Sequence, residues 1–190
     1  SLIEVDCSGE ALSPKLIKEF KSLSSATLAT TYGCTEMPGV ATHYFSEDGQ
    51  EINYIGKVRS NVTLKLLNKN FSEVGNGKIG EVYLSGNRIA SGYLNNEEET
   101  LKKFIPLSFS NEEEKIFFKT GDLARLLPNG EYEYMGRIDN QIQIQGFRIE
   151  PQEIEQVLIN FENVQHAIVV AAKSIHGRKR LVAYLVPKEN

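Results

Sequence analysis

One strand–helix–strand run opens this chain of 190 residues, and it limits the fold more than any other feature. Leu2 to Val5 reads as a short strand. Ser13-Pro14 then predicts a helix start, because serine caps well and proline is tolerated at the first helical position. Leu16, Ile17 and Phe20 supply that helix with an apolar face. Ala26 to Thr31 reads as a second strand, ending at Tyr32-Gly33. This order is the grammar of a βαβ unit in a mostly parallel sheet. A single such unit cannot cover both faces of its own sheet, so it needs partners from elsewhere.

The texture changes near Phe45. Short alternating runs follow, at Val62 to Leu67, Gly80 to Leu84, Ile116 to Lys119 and Glu131 to Tyr134. Leu127-Pro128-Asn129-Gly130 is a hairpin signal. This stretch predicts a small antiparallel barrel or sandwich, with one helical insert at Glu97 to Phe104 capped by Asn96. A third texture begins at Asp139. Gln141 to Gln145 alternates as a strand does. Pro151 starts a helix with Ile154, Val157, Leu158 and Phe161 on one face, and strands follow at Val164 to Ala171 and Arg180 to Val186. The expected fold is mixed α/β (α+β), in three parts. Residues 1–45 form part of a parallel α/β subdomain, 46–138 a small antiparallel β-barrel, and 139–190 a compact α+β lid.

Hydrophobic residues make up 41% of the chain and charged residues 24%, which is globular composition and excludes a low-complexity or disordered chain. A net charge of -4 argues against broad nucleic-acid binding. No run approaches the roughly 18 apolar residues of a membrane span, and the first residues lack the pattern of a signal peptide. Cys7 and Cys34 are too few for a disulfide framework, so a reducing, cytoplasmic setting is expected. His43, His166 and His176 show no zinc-like spacing. Four basic residues between Lys173 and Arg180 read as a solvated loop.

Four stretches say more when taken together. They are Thr31-Tyr-Gly-Cys-Thr-Glu36, Gly80-Glu-Val-Tyr-Leu-Ser-Gly86 running on to Gly92-Tyr93-Leu94, Lys119-Thr-Gly-Asp-Leu123, and Gly136-Arg-Ile-Asp-Asn-Gln141 running on to Gly146-Phe-Arg-Ile-Glu150. In this order the chain resembles the adenylation domains of nonribosomal peptide synthetases. These belong to the adenylate-forming superfamily with acyl-CoA synthetases and luciferases, and the resemblance is to their C-terminal portion. It implies a ligase that activates an amino acid with ATP, giving an acyl-adenylate and pyrophosphate. The acyl group then passes to the phosphopantetheine thiol of a peptidyl carrier protein.

The resemblance also assigns roles. Tyr32 matches the tyrosine that stacks on adenine, with Gly33 beside it in the AMP-binding turn. Thr35 matches a hydroxyl donor to the α-phosphate, and Glu36 matches the Mg²⁺-linked glutamate; a carboxylate is a ligand type that suits that ion. Asp122 matches the carboxylate that accepts the ribose hydroxyls, and Arg137 an arginine that contacts the nucleotide. Asp139 matches the hinge of the mobile lid. Gly146 and Arg148 match the loop that approaches the pantetheine thiol. Asp6, Ser8, Thr31, Gly39 and Val40 fall on positions that line the substrate side-chain pocket. Asp6 and Ser8 are polar and Gly39 leaves room, so a polar side chain is expected, whether thiol, hydroxyl or cationic.

Some positions depart from the family pattern. Cys34 stands where proline is more frequent, Gln143 and Gln145 where basic residues are, and Pro151-Gln152 replaces a more usual Leu-Gly. No Gly/Ser/Thr-rich phosphate loop occurs, and the family's C-terminal catalytic lysine is not matched by Lys188. The expectation is therefore a piece that works with the remainder of an adenylation domain and is inactive alone. Two alternatives stand beside it: an acyl- or aryl-CoA ligase of the same superfamily, and a non-catalytic binding module of this fold.

Overall fold

The computed structural model describes residues 2–9, 12, 14–45, 54–110, 113–174 and 179–188, with the side chains of Pro14 and Val40 outside that set. Ser13 and residues 175–178, which include His176 and part of the basic loop, lie outside the described residues. The chain divides into two units, Ser1–Ile138 and Asp139–Asn190.

In the first unit β1 (Glu4–Ser8) and β2 (Thr27–Cys34) pair in parallel, joined through α1 (Pro14–Leu23). The βαβ reading is therefore correct, although β1 lies two residues later than expected. Ile17 of α1 is buried, whereas Leu16 is half exposed. β2 then turns back through Thr35-Glu36 into β3 (Met37–Phe45), with Cys34 opposite Met37. The alternation rule missed this strand, whose Pro38 and Gly39 read as loop formers.

The sheet continues through β4 (Tyr54–Val58), β5 (Val62–Leu67), β6 (Ile79–Gly86), β7 (Phe104–Leu107), β8 (Lys115–Leu126) and β9 (Tyr132–Arg137). The hydrogen-bonded order is β1-β2-β3-β4-β9-β8-β6-β5, with β7 on β8. Among the described residues only the β1–β2 pair is parallel. The expected barrel is thus an open path: among the described residues no pairing returns from β5 to close it. Strand pairing also runs unbroken past residue 45, because Thr42 and His43 pair with Val58 and Lys57.

β6 explains the cohesion of this unit. Its residues from Gly80 to Ser85 are all buried, as in a strand covered on both faces. Val82 and Leu84 face a cluster with Leu64, Leu66, Ile55 and Met37. Tyr83 faces the other way, onto Leu67 and Phe117. The Leu127–Gly130 hairpin forms as expected, with Leu127 N–H donating to Glu131 O at 2.8 Å. α2 (Glu97–Lys103) starts at Asn96, whose side-chain oxygen accepts the Glu99 N–H. It stops one residue early because Phe104 enters β7 and is buried.

In the second unit β10 (Ile142–Ile144) and β11 (Phe147–Ile149) form a hairpin, and α3 (Pro151–Ile159) precedes the pair β12 (Val164–Lys173) and β13 (Lys179–Pro187). The expected face of α3 is only half right. Ile154 and Leu158 are partly buried, while Val157 and Phe161 are about 60% exposed. The seam turns instead toward Glu155, whose carboxylate accepts the Val169 N–H of β12 at 2.8 Å. No helix among the described residues is long and apolar enough to cross a membrane.

Candidate functional site

The site is built where β2, β8 and β9 lie in one sheet. Asp122 of β8 stands opposite Arg137 of β9 in register, and the Arg137 Nη1 donates to Asp122 Oδ1 at 2.7 Å. Tyr32 arrives from β2, ninety residues away in sequence, and its hydroxyl donates to Asp122 Oδ2 at 2.6 Å. Tyr134 adds a longer bond to Oδ1 at 3.4 Å. Asp122 is 8% exposed, so its charge is compensated by a cation and two phenols rather than by water. Burial, and then the Asp122 charge, hold the Tyr32 phenol well above its ordinary value, so it stays a proton donor.

The loop that presents Asp122 is fixed from below. Gly121 takes a positive φ of 80°, which glycine adopts without strain, and the β6–β8 register shifts beside it. Thr120 donates its hydroxyl to Val82 O at 2.8 Å and accepts the Asp122 N–H at 3.0 Å. Glu81 of β6 accepts the Gly121 N–H at 3.2 Å, with Lys119 at 3.8 Å from its other oxygen. Burial raises the Glu81 carboxyl above the ordinary 4.5, against the pull of Lys119. Arg137 Nη2 donates to Thr120 O at 3.0 Å, tying β9 to the same loop.

Glu36 forms a second centre. It lies in the two-residue β2–β3 turn, yet it is only 5% exposed. Its Oε1 accepts the Tyr93 hydroxyl at 2.6 Å. Thr35, beside it, is exposed. Gly33 is open to solvent on one side, but a Cβ there would stand 2.5 Å from Gly39 O, so only glycine fits below β3. A buried carboxylate already fixed at one oxygen is a donor type that suits Mg²⁺, and the Asp122 group suits ribose hydroxyls.

Asp6 and Ser8 alternate along β1 and Thr31 of β2 pairs with Ser8, so these three positions share one face of the sheet, while Gly39 and Val40 are consecutive in β3. Asp6 Oδ1 lies 3.2 Å from His43 Nε2, and Glu4 brings a third ligand-type atom within 4.8 Å of these two. Thr31 donates to Cys7 O at 3.5 Å, and Ser8 is exposed. Gly39 is exposed, and the one atom near where a Cβ would be is the flexible Arg88 Nη1 at 3.0 Å. Val40 lies in β3, and its side chain is outside the described residues.

In the second unit Asp139 Oδ1 accepts the Gln141 N–H at 3.2 Å. Gly146 follows Gln145 in the β10–β11 turn, and a Cβ on it would meet open space. Arg148 is exposed. The residues that sequence reasoning missed are Tyr134, Thr120, Glu81, Tyr93 and His43. Three of these sit inside the sequence motifs, Glu81 after Gly80, Thr120 two residues before Asp122 and Tyr93 after Gly92. The others are set by strand register, which local sequence does not print.

A family model described as AMP-binding enzyme matches residues 1–94. Over nearly the whole chain the sequence is 41% identical to bacitracin synthase 3 of Bacillus licheniformis, covering 96% of this chain and 3% of that protein. It is 42% identical to tyrocidine synthase 3 of Brevibacillus parabrevis, covering 95% of this chain and 3% of that protein. The chain is thus similar to AMP-binding enzymes over residues 1–94 and to nonribosomal peptide synthetases over nearly its whole length. It spans only a few per cent of the length of these relatives. The fold agrees with solved structures. The Vibrio cholerae adenylation domain AlmE, in complex with glycyl-adenosine-5'-phosphate, matches with a TM-score of 0.82 at 25% identity, over 97% of this chain and 36% of that one. Holo-PA1221, an NRPS protein containing adenylation and PCP domains, matches with a TM-score of 0.88 at 23% identity, over 97% of this chain and 33% of that one. The chain carries the mixed α/β fold of these adenylation domains.

Proposed function

We propose that this chain is the part of an amino-acid-activating adenylation enzyme that holds the adenosine end of ATP and the substrate side chain. The observation that carries the reading is Asp122, a buried carboxylate gripped by Tyr32 and Arg137 from two other strands. A carboxylate offers about four lone-pair positions, which suits a group that serves protein donors and ribose hydroxyls together. Tyr32 presents an aromatic ring beside it for adenine, and Gly33 keeps the backbone there thin. Thr35 donates to the α-phosphate, and Arg137 adds positive charge near the nucleotide.

In the reaction the substrate carboxylate attacks the α-phosphorus and pyrophosphate leaves. Glu36 would hold Mg²⁺, which would screen the phosphate charge. The substrate side chain lies over Asp6, Ser8, Thr31, Gly39 and Val40. Asp139 is the hinge of the Asp139–Asn190 unit, and Gly146 and Arg148 meet the phosphopantetheine of a peptidyl carrier protein in the transfer step. The remainder of the adenylation domain and the carrier are the partners.

ATP–pyrophosphate exchange on the natural gene product tests this reading. Exchange that depends on one amino acid or a small group of polar ones is expected. Absence of exchange across amino acids and simple carboxylic acids would overturn it. Loading onto a holo-carrier rather than onto CoA separates it from a CoA ligase.

A further inference from the structure

We propose that Tyr93 is a positioning residue for Glu36, and that the Gly92–Phe104 segment serves to aim it. The proposal rests on the reading of Glu36 as the carboxylate linked to Mg²⁺. The Gly92-Tyr93-Leu94 motif has no part in the nucleotide cluster around Asp122, yet its tyrosine reaches across 57 residues of sequence to place its hydroxyl 2.6 Å from Glu36 Oε1. The main chain is held as well, because Ala90 N–H donates to Glu36 O at 2.8 Å. Glu36 is thus gripped at its backbone and at its carboxylate by one short stretch, residues 90–93.

That stretch is itself rigid. Tyr93 N–H donates to Thr100 Oγ1 at 2.8 Å, and Thr100 Oγ1 donates to Asn96 O at 2.8 Å. Asn96 caps α2 through Glu99 N–H. Gly92 has a φ of 141°, and a Cβ on it would overlap the Thr100 side chain, so glycine alone lets the two meet. The Tyr93 ring meets Phe104 edge-on at 5.6 Å, and Phe104 packs on Phe118. The chain of contacts runs from a helix cap, through Thr100 and Tyr93, to the carboxylate.

The chemistry gives this a purpose. Mg²⁺ demands near-ideal octahedral geometry and takes few protein ligands. A carboxylate that turns about its last bond is a poor member of such a set. A phenol donating to one oxygen fixes the carboxylate plane. Tyr93 touches neither nucleotide nor substrate in this scheme and acts only through Glu36.

The variant Tyr93→Phe keeps the ring on Phe104 and removes the donor. Two measurements test it on the natural gene product. In the ligand-free protein, the Glu36 carboxyl ¹³C resonance is expected to move in Tyr93→Phe; an unmoved resonance would overturn the proposal. In ATP–pyrophosphate exchange, the Mg²⁺ concentration for half-maximal rate is expected to rise about tenfold, the scale of one hydrogen bond to a charged group. The amino-acid KM is expected to stay within about twofold. Active exchange with an unchanged Mg²⁺ dependence would overturn the role of Tyr93 and leave the adenylation reading standing. Absence of exchange in the unsubstituted protein would sink the adenylation reading and the metal role with it, while the resonance still reports whether Tyr93 fixes Glu36.

Discussion

Asp122 and Asp6 are both aspartates on strands of the same nine-stranded sheet, and they are held in opposite ways. Asp122 sits on β8, inside the sheet, and is 8% exposed. Arg137 and Tyr32 meet it from two further strands. Asp6 sits on β1 at the end of the strand order, with a side chain 56% exposed and His43 at 3.2 Å. An interior strand must satisfy every charge it carries, so its geometry is rigid before any ligand arrives. Asp6 keeps an exposed carboxylate beside a single imidazole, so its replacement costs this chain little. The Asp122 cluster is the fixed one, and the surroundings of Asp6 are the adaptable ones.

The largest test of this contrast removes one member of the buried pair. Asp122→Ala leaves the Arg137 guanidinium, 18% exposed, without its carboxylate. The expected loss of stability is about 3–5 kcal/mol, read by urea unfolding. A loss under about 1 kcal/mol would place Asp122 with the exposed pairs and remove the contrast. Next in size, Tyr32→Phe keeps the ring and removes the donor to Oδ2. A loss of about 2 kcal/mol is expected in the same assay, because the bond is to a charged group.

Glu81 extends the contrast to pH. Burial raises its folded value above 4.5, so the folded state holds this proton more tightly than the unfolded one. Its contribution to stability is therefore present below pH 4.5 and is lost as pH rises through the folded value. Glu81→Gln keeps a carbonyl oxygen for the Gly121 N–H and cannot ionise. The variant is expected to match the unsubstituted protein in acid and to gain on it above that window, with thermal midpoints across pH as the measurement. The smallest effect belongs to Asp6. Asp6→Asn is expected to shift stability by no more than about 0.5 kcal/mol, while changing which amino acid supports pyrophosphate exchange.

Much of this fold is written locally. Asn96 caps α2, Pro151 opens α3, and the Leu127–Gly130 turn joins β8 to β9, each from a few adjacent residues whose torsions and hydrogen bonds decide the matter. The strand β3 was not legible, because Pro38 and Gly39 imitate a loop and only pairing with β2 and β4 makes the segment extended. The buried face of α3 was not legible either, since Glu155 reaches a β12 amide that no helical pattern announces.

The candidate site divides along the same line. Its chemical types can be read residue by residue: a carboxylate after Thr120-Gly121, an arginine before Ile138, and an aromatic before Gly33. The division between the two units is equally local, at Asp139, where the texture changes. That Tyr32, Asp122 and Arg137 meet, and that Tyr93 grips Glu36, follows from the folded chain alone. Those meetings depend on strand order and register, and a slip of one residue turns every side chain to the other face. Register is set by the burial of whole strands such as β6, and no short stretch of sequence carries that information.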